Sequence, residues 1–143
     1  MLSYTANCLC RDVTLTLELP TTLESHSARV CDCDFCTQRN LCYLSDVEGR
    51  LYVQFKTPYT TQQQGSNQAS FLTCAHCSSV VAVVLETEGT YRGAVNVTLF
   101  SECSAMQAAI IVSPKQLSAE EKRQRWANVW MPVTLRVGID NRT

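Results

Sequence analysis

The stretch Cys74-Ala-His-Cys77-Ser-Ser-Val-Val-Ala-Val-Val-Leu85 decides the fold. Its second half, Val80 to Leu85, is a short apolar run dominated by β-branched valine, with Ser78-Ser79 before it and Glu88-Gly89 soon after. Such a run reads as a central strand covered on both faces. The first half sets two cysteines three positions apart immediately ahead of that strand. This is the spacing of a zinc-binding turn, in which backbone N–H groups also bond the sulfurs.

Outward from this stretch the pattern is mostly that of strands. Val13, Leu15, Leu17 and Leu19 alternate with Thr14, Thr16 and Glu18, a half-buried strand that Pro20 ends. Leu51-Tyr-Val-Gln-Phe55 is a second strand, entered through a turn at Glu48-Gly49. Thr57 to Ser70, with three consecutive glutamines and Gly65-Ser66-Asn67, reads as a mobile polar loop. Glu88-Gly89 turns the chain, and Gly93 precedes a strand at Val95 to Phe100. Val133, Leu135, Val137 and Ile139 alternate as a last strand. One helix is signalled near the end. Ser118 and Glu121 form a capping box, Trp126, Val129 and Trp130 make an apolar stripe, and Pro132 stops it. Ala105 to Ala109 reads as a second, shorter helix. The expectation is a mainly β fold with a short C-terminal helix.

The chain has 143 residues, which suits one domain over 1–143. Formal net charge is −1 and the pI is about 6.1, so no basic footprint points to nucleic acid or an anionic membrane. The opening MLSYTANCLC has no basic segment followed by an apolar run, and Val80 to Leu85 is too short to span a bilayer. A cytoplasmic protein is the expectation.

Nine cysteines are present, and seven fall in three clusters: Cys8-x-Cys10, Cys31-x-Cys33-x-x-Cys36 and Cys74-x-x-Cys77. A disulfide scaffold is opposed by the odd count, the lack of an export signal and the tight bunching. Metal ligation fits better, because cysteines at i and i+2 rarely bridge each other but readily present two sulfurs to one ion. Structural zinc takes four thiolate or imidazole ligands, while catalytic zinc keeps three and an open position. Seven cysteines divide into four plus three, and two zinc ions per chain are the expectation. Two pairs close one site. Cys31, Cys33 and Cys36 cap one face of an ion and leave the other free. Spacing leaves the division open, since Cys31 and Cys33 can also be paired with Cys74 and Cys77.

The order and spacing of these motifs resemble the glutathione-dependent formaldehyde-activating enzyme family, which includes centromere protein V. The resemblance runs from Cys8 to about Phe100 and takes in Gly93-Ala-Val-Asn-Val-Thr-Leu-Phe100. It implies a β-tent of small antiparallel sheets. It implies a structural zinc on Cys8, Cys10, Cys74 and Cys77, and a catalytic zinc on Cys31, Cys33 and Cys36. It also implies carbon–sulfur lyase chemistry, in which glutathione or a similar thiol adds reversibly to formaldehyde or another small aldehyde. Four positions depart from the family pattern. Arg11 and Ser78 stand where glycine is usual, Asp32 where histidine is frequent, and Thr37 where a basic residue is frequent, with Arg39 two further on.

A thiolate, not a thiol, is the nucleophile in such chemistry. A fourth thiolate on a three-thiolate zinc makes the site more anionic, so Arg29 or Arg39 is expected to offset charge or bind a substrate carboxylate. His26 and His76 are further possible ligands, read first as a solvated loop residue and an outward-facing turn residue. Asp32 and Asp34 read as solvated acids, and Cys42 and Cys103 as small buried hydrophobes. Trp126 and Trp130 read as core. A reading from another class is a non-catalytic zinc-stabilised interaction module. No nucleic-acid or membrane partner is expected, and the oligomeric state, homodimer included, is left open.

Overall fold

A computed structural model of the chain describes residues 1–31, 34–63, 69–112, 118, 120–121, 124 and 129–138. Its strands are β1 (Leu2–Asn7), β2 (Val13–Leu19), β3 (Ser27–Cys31), β4 (Tyr43–Leu44), β5 (Arg50–Phe55), β6 (Thr60–Gln63), β7 (Ser70–Thr73), β8 (Val80–Thr87), β9 (Thr90–Asn96), β10 (Gln107–Val112) and β11 (Met131–Val137), with a short helix α1 (Asp34–Arg39) between β3 and β4. The fold is mainly β, as the alternating pattern requires.

β8 is the central strand expected from Val80 to Leu85, every one of which is buried. Glu88 and Gly89 then form a two-residue hairpin turn, both with positive φ (52° and 82°), the backbone of a type I′ turn. β9 returns antiparallel along β8 from Ala82 to Thr87. At Gly93 the two strands come so close that a Cβ would collide with the Val83 carbonyl, so only glycine fits there.

β9 is the point where the sheet divides. Along the edge away from β8, Tyr91 to Gly93 pair with β11, while Val95 and Asn96 pair with β4. Two arms therefore leave the same strand, one running β11–β5–β2–β1 and the other β4–β3–β10. β7 and β6 extend the far side of β8. Most pairings are antiparallel, but β11 with β5 and β10 with β3 are parallel.

The main core lies under the first arm. Leu15, Leu17 and Leu19 of β2 and Leu51, Val53 and Phe55 of β5 meet Val81, Val95, Phe100 and Met131. A second cluster covers the opposite face of β8 and β9, with Phe71, Val83, Leu85, Ala94, Leu41, Tyr43, Trp130 and Cys36. Two clusters on two faces explain why β8 has no polar alternation until Glu86.

Three expectations change. Thr57 to Ser70 is not wholly loop, because Thr60–Gln63 pairs with Ser70–Thr73 as a hairpin. The strand expected to reach Phe100 stops at Asn96. The Asn96 side chain accepts from Thr98 N–H and starts a 3-10 turn at Val97–Leu99. Ala105 to Ala109 is not helical: a 3-10 turn at Ser101–Ala105 leads into β10, whose Ile-Ile-Val end favours extended backbone. The capping box is present. Ser118 N–H donates to Glu121 Oε1 (2.8 Å) and Glu121 N–H donates to Ser118 Oγ (3.1 Å). The Ser118 backbone N–H and hydroxyl hold the Glu121 carboxyl below its ordinary range. Residues 120, 121, 124 and 129 are helical. Trp130 is buried in the second cluster, whereas Trp126 and Ile139 lie outside the described residues. Among the described residues no helix is long and apolar enough to cross a membrane.

Candidate metal centre

Two tight turns build the site. The first joins β1 to β2. Cys8 N–H donates to Val13 O (3.1 Å) and Arg11 N–H donates to Cys8 O (3.1 Å). The second joins β7 to β8. Cys74 N–H donates to Ser79 O (2.9 Å) and Ser78 N–H donates to Cys74 O (3.0 Å). In each, the residue directly after the second cysteine has left-handed backbone: Arg11 at φ 67° and Ser78 at φ 62°. These are the two places where the resemblance leads one to expect glycine. The chain keeps the turn geometry there without the residue that adopts it most easily.

The turns bring four sulfurs together. Cys8, Cys10, Cys74 and Cys77 place their ligand atoms within 4.8 Å of one another. Cys10 Sγ lies 3.5 Å from Cys74 Sγ, across 64 residues of sequence, and 3.7 Å from Cys8 Sγ. These are not disulfides, whose sulfurs are about 2.05 Å apart. Four sulfurs at about 2.3 Å around a tetrahedral ion would be roughly 3.8 Å apart, so the cluster fits zinc in both donor type and spacing. It can hold a metal ion, and with four thiolate donors it would be closed.

Burial is graded across the cluster. Cys8 and Cys74 are 3% and 1% exposed and belong to the main core, Cys77 is half-buried, and Cys10 is exposed. Backbone N–H groups point at the sulfurs, from Val13 to Cys8 (3.4 Å) and from His76 to Cys74 (3.4 Å). The Ser79 hydroxyl lies 3.2 Å from Cys77 Sγ. Without a cation, four crowded thiols cannot all ionise. Burial pushes the Cys74 thiol up to about 12, overcoming the N–H groups of Cys77 and His76. Burial also raises Cys77, but the Ser79 hydroxyl and N–H, the Cys10 backbone and the Cys74 thiol outweigh it and bring Cys77 down to about 6. Cys10 is drawn down by the Asp12 N–H, yet desolvation and the Cys8 and Cys77 thiols leave it raised. One sulfur is thus ready as a thiolate to meet a cation first.

The second cysteine cluster is only partly described. Cys31 ends β3 and Cys36 lies in α1, so the triplet spans one strand-to-helix corner. Cys33 and the Cys31 side chain lie outside the described residues, as does the Arg39 side chain. Cys36 is 1% exposed, with Sγ 3.8 Å from the Tyr43 hydroxyl. Arg29 is exposed on β3.

The histidines have other partners. His26 Nε2 is 2.9 Å from Asp46 Oδ2 and its Nδ1 is 2.8 Å from Thr22 O, so both ring nitrogens are engaged away from the cysteines. His76 faces outward, with Nε2 3.1 Å from Thr57 Oγ1. Cys42 and Cys103 are half-buried against the main core, and burial together with the Cys103 thiol raises Cys42. Ser79 and Asp12, which contact the cluster, were not legible as site residues from spacing. Their only sequence signal is position, next to a metal-type turn.

No family model and no curated protein matches the chain. A crystal structure of a Rhodobacter sphaeroides protein from structural genomics matches with a TM-score of 0.53 at 24% identity, over 68% of this chain and 87% of that one. At that identity the likeness shows the fold alone: this mainly β architecture is shared with a protein whose structure is known from experiment.

Proposed function

We propose that the chain is a zinc-dependent carbon–sulfur lyase-like protein of the cytoplasm. In this reading Cys8, Cys10, Cys74 and Cys77 hold a structural zinc. Cys31, Cys33 and Cys36 hold a second zinc, where glutathione or a similar small thiol binds and its adduct with formaldehyde or another small aldehyde forms and breaks. The observation that carries the metal half is the convergence of Cys8, Cys10, Cys74 and Cys77 within 4.8 Å. The chemical half rests on the motif resemblance. Zinc at the triplet would acidify and fix a thiol. The chain's own part would be to hold the thiolates at the β3–α1 corner, with Arg29 or Arg39 offsetting charge. A homodimer is compatible with this reading, and neither nucleic acid nor membrane has a role in it.

A non-catalytic zinc-stabilised module is the competing reading. It is favoured by the closed donor set of the four-cysteine site, which leaves no position for a substrate. Cobalt-substituted protein titrated with glutathione separates the two. A change in the ligand-field bands of a second cobalt, abolished by Cys36→Ser, is the expected result. One cobalt per chain with a spectrum indifferent to glutathione would leave the module reading. Loss of all bound metal in Cys77→Ser, with the second site intact in wild type, would show that the staple supports the fold.

A further inference from the structure

We infer that Asp12, Thr57 and His76 form a clasp over the exposed side of the four-cysteine site and slow the exchange of its metal. The inference rests on the metal reading of Cys8, Cys10, Cys74 and Cys77. Asp12 belongs to the first turn, two residues after Cys10, and His76 to the second, where its backbone N–H donates to Cys74 Sγ (3.4 Å). Their side chains then meet on a third element. Thr57 Oγ1 donates to Asp12 Oδ1 (3.4 Å) and lies 3.1 Å from His76 Nε2. With its single proton given to Asp12, the Thr57 hydroxyl accepts from His76, so the chain runs His76 N–H to Thr57 O–H to Asp12. His76 Nε2 and Asp12 Oδ1 are 4.0 Å apart. Lys56 N–H donates to Asp12 O (3.0 Å), which ties the Thr57 segment to the first turn.

The location matters. Cys8 and Cys74 are sealed by the core, so a metal enters and leaves past Cys10 and Cys77, the side on which His76 is exposed. The clasp joins the two turns there without using the ion. It ties together the two turns that place Cys10 Sγ 3.5 Å from Cys74 Sγ. Asp12 Oδ2 is buried without a hydrogen-bond partner among the described residues. An unpaired buried carboxylate oxygen costs stability, so the fold alone gives no reason for a carboxylate at this position. Groups behind metal ligands commonly change metal affinity by about 10- to 100-fold.

The test is transfer of bound zinc from the full chain to a chromogenic chelator in excess, followed by stopped flow. Thr57→Val, which keeps shape and loses the hydroxyl, should release zinc about tenfold faster than wild type, in the lower part of the range for such groups. Asp12→Ala should do the same, and the double variant should be no faster than the faster single. Thr57→Ser should restore slow release. Equal release rates in wild type and Thr57→Val would overturn the clasp while leaving the metal site standing. A wild-type chain that holds no zinc would overturn the metal reading itself. Faster release that tracks the loss in melting temperature, and that Thr57→Ser fails to rescue, would also overturn the clasp, because general loosening would then account for it.

Discussion

Replacing Arg11 and Ser78 by glycine should stabilise the protein. Both hold φ near 65°, at 67° and 62°, where an L side chain crowds the following carbonyl at roughly 1–2 kcal/mol per residue. Glycine removes that cost but adds unfolded-chain freedom worth about 0.5–1 kcal/mol. The net gain is about 0.5–1 kcal/mol at each site. Both side chains are exposed, and neither makes a side-chain hydrogen bond or ion pair among the described residues, so truncation removes nothing else. For a chain of this length the double variant should melt roughly 3–6 °C higher. The assay is thermal and urea denaturation of single and double variants, with zinc and with chelator. Lys56→Gly is the control. Lys56 is exposed and its φ is not positive, so glycine there should lower stability by about 0.5–1 kcal/mol. If Arg11→Gly and Ser78→Gly destabilise as the control does, the left-handed geometry is not a strain and the reasoning fails.

Other outcomes follow from the same structure. Gly93→Ala should destabilise by about 3 kcal/mol or prevent folding, because its Cβ meets the Val83 carbonyl across paired strands; circular dichroism melts would show it. Glu88→Asn should raise the melting temperature slightly, by about 0.5 kcal/mol in stability, since asparagine tolerates the positive φ of this turn better than glutamate. In metal-free protein Cys77 should be alkylated by iodoacetamide faster than Cys8, Cys10 and Cys74 near neutral pH. Its folded pKa, about 6, lies well below the ordinary thiol range, so its reactivity should persist as pH falls through that range to about 6 and drop below it. Mass spectrometry of tryptic fragments reads the order, and Cys74 reacting first would contradict the assignment.

The parts of the fold that could be read from sequence were those where one local rule dominated. β2 and β5 alternate cleanly because one face of each meets the core and the other meets water. β8 is uniformly apolar because it is covered on both faces, and the Glu88-Gly89 turn has the glycine its geometry demands. Each cysteine pair was legible from spacing as a metal-type turn, but spacing left open which pairs share an ion; the resemblance implied Cys8, Cys10, Cys74 and Cys77, and the structure brings these four together. Other elements depend on partners distant in sequence. β10 is a strand because β3 lies beside it in parallel, a pairing that Ala105 to Ala109 do not announce. β4 is two residues long and exists because β9 needs a neighbour at Val95 and Asn96. The roles of Asp12 and Thr57 arise where three separate turns converge, and no spacing rule reports that. Arg11 and Ser78 show the converse: the expected glycines are missing and the turns form all the same.

The cysteines that meet across 64 residues have a consequence in time. Cys10 is added to the growing chain 64 residues before Cys74. At roughly 5–20 residues per second, that interval is about 3–13 s. Through it, Cys8 and Cys10 have no partners from the second turn, and a nascent chain offers two neighbouring thiols to any soft metal or oxidant it meets. Closure must then wait until β8 has joined the sheet and carried the second turn into place. A metal held by all four cysteines would have to arrive late, with the first pair kept reduced until it came.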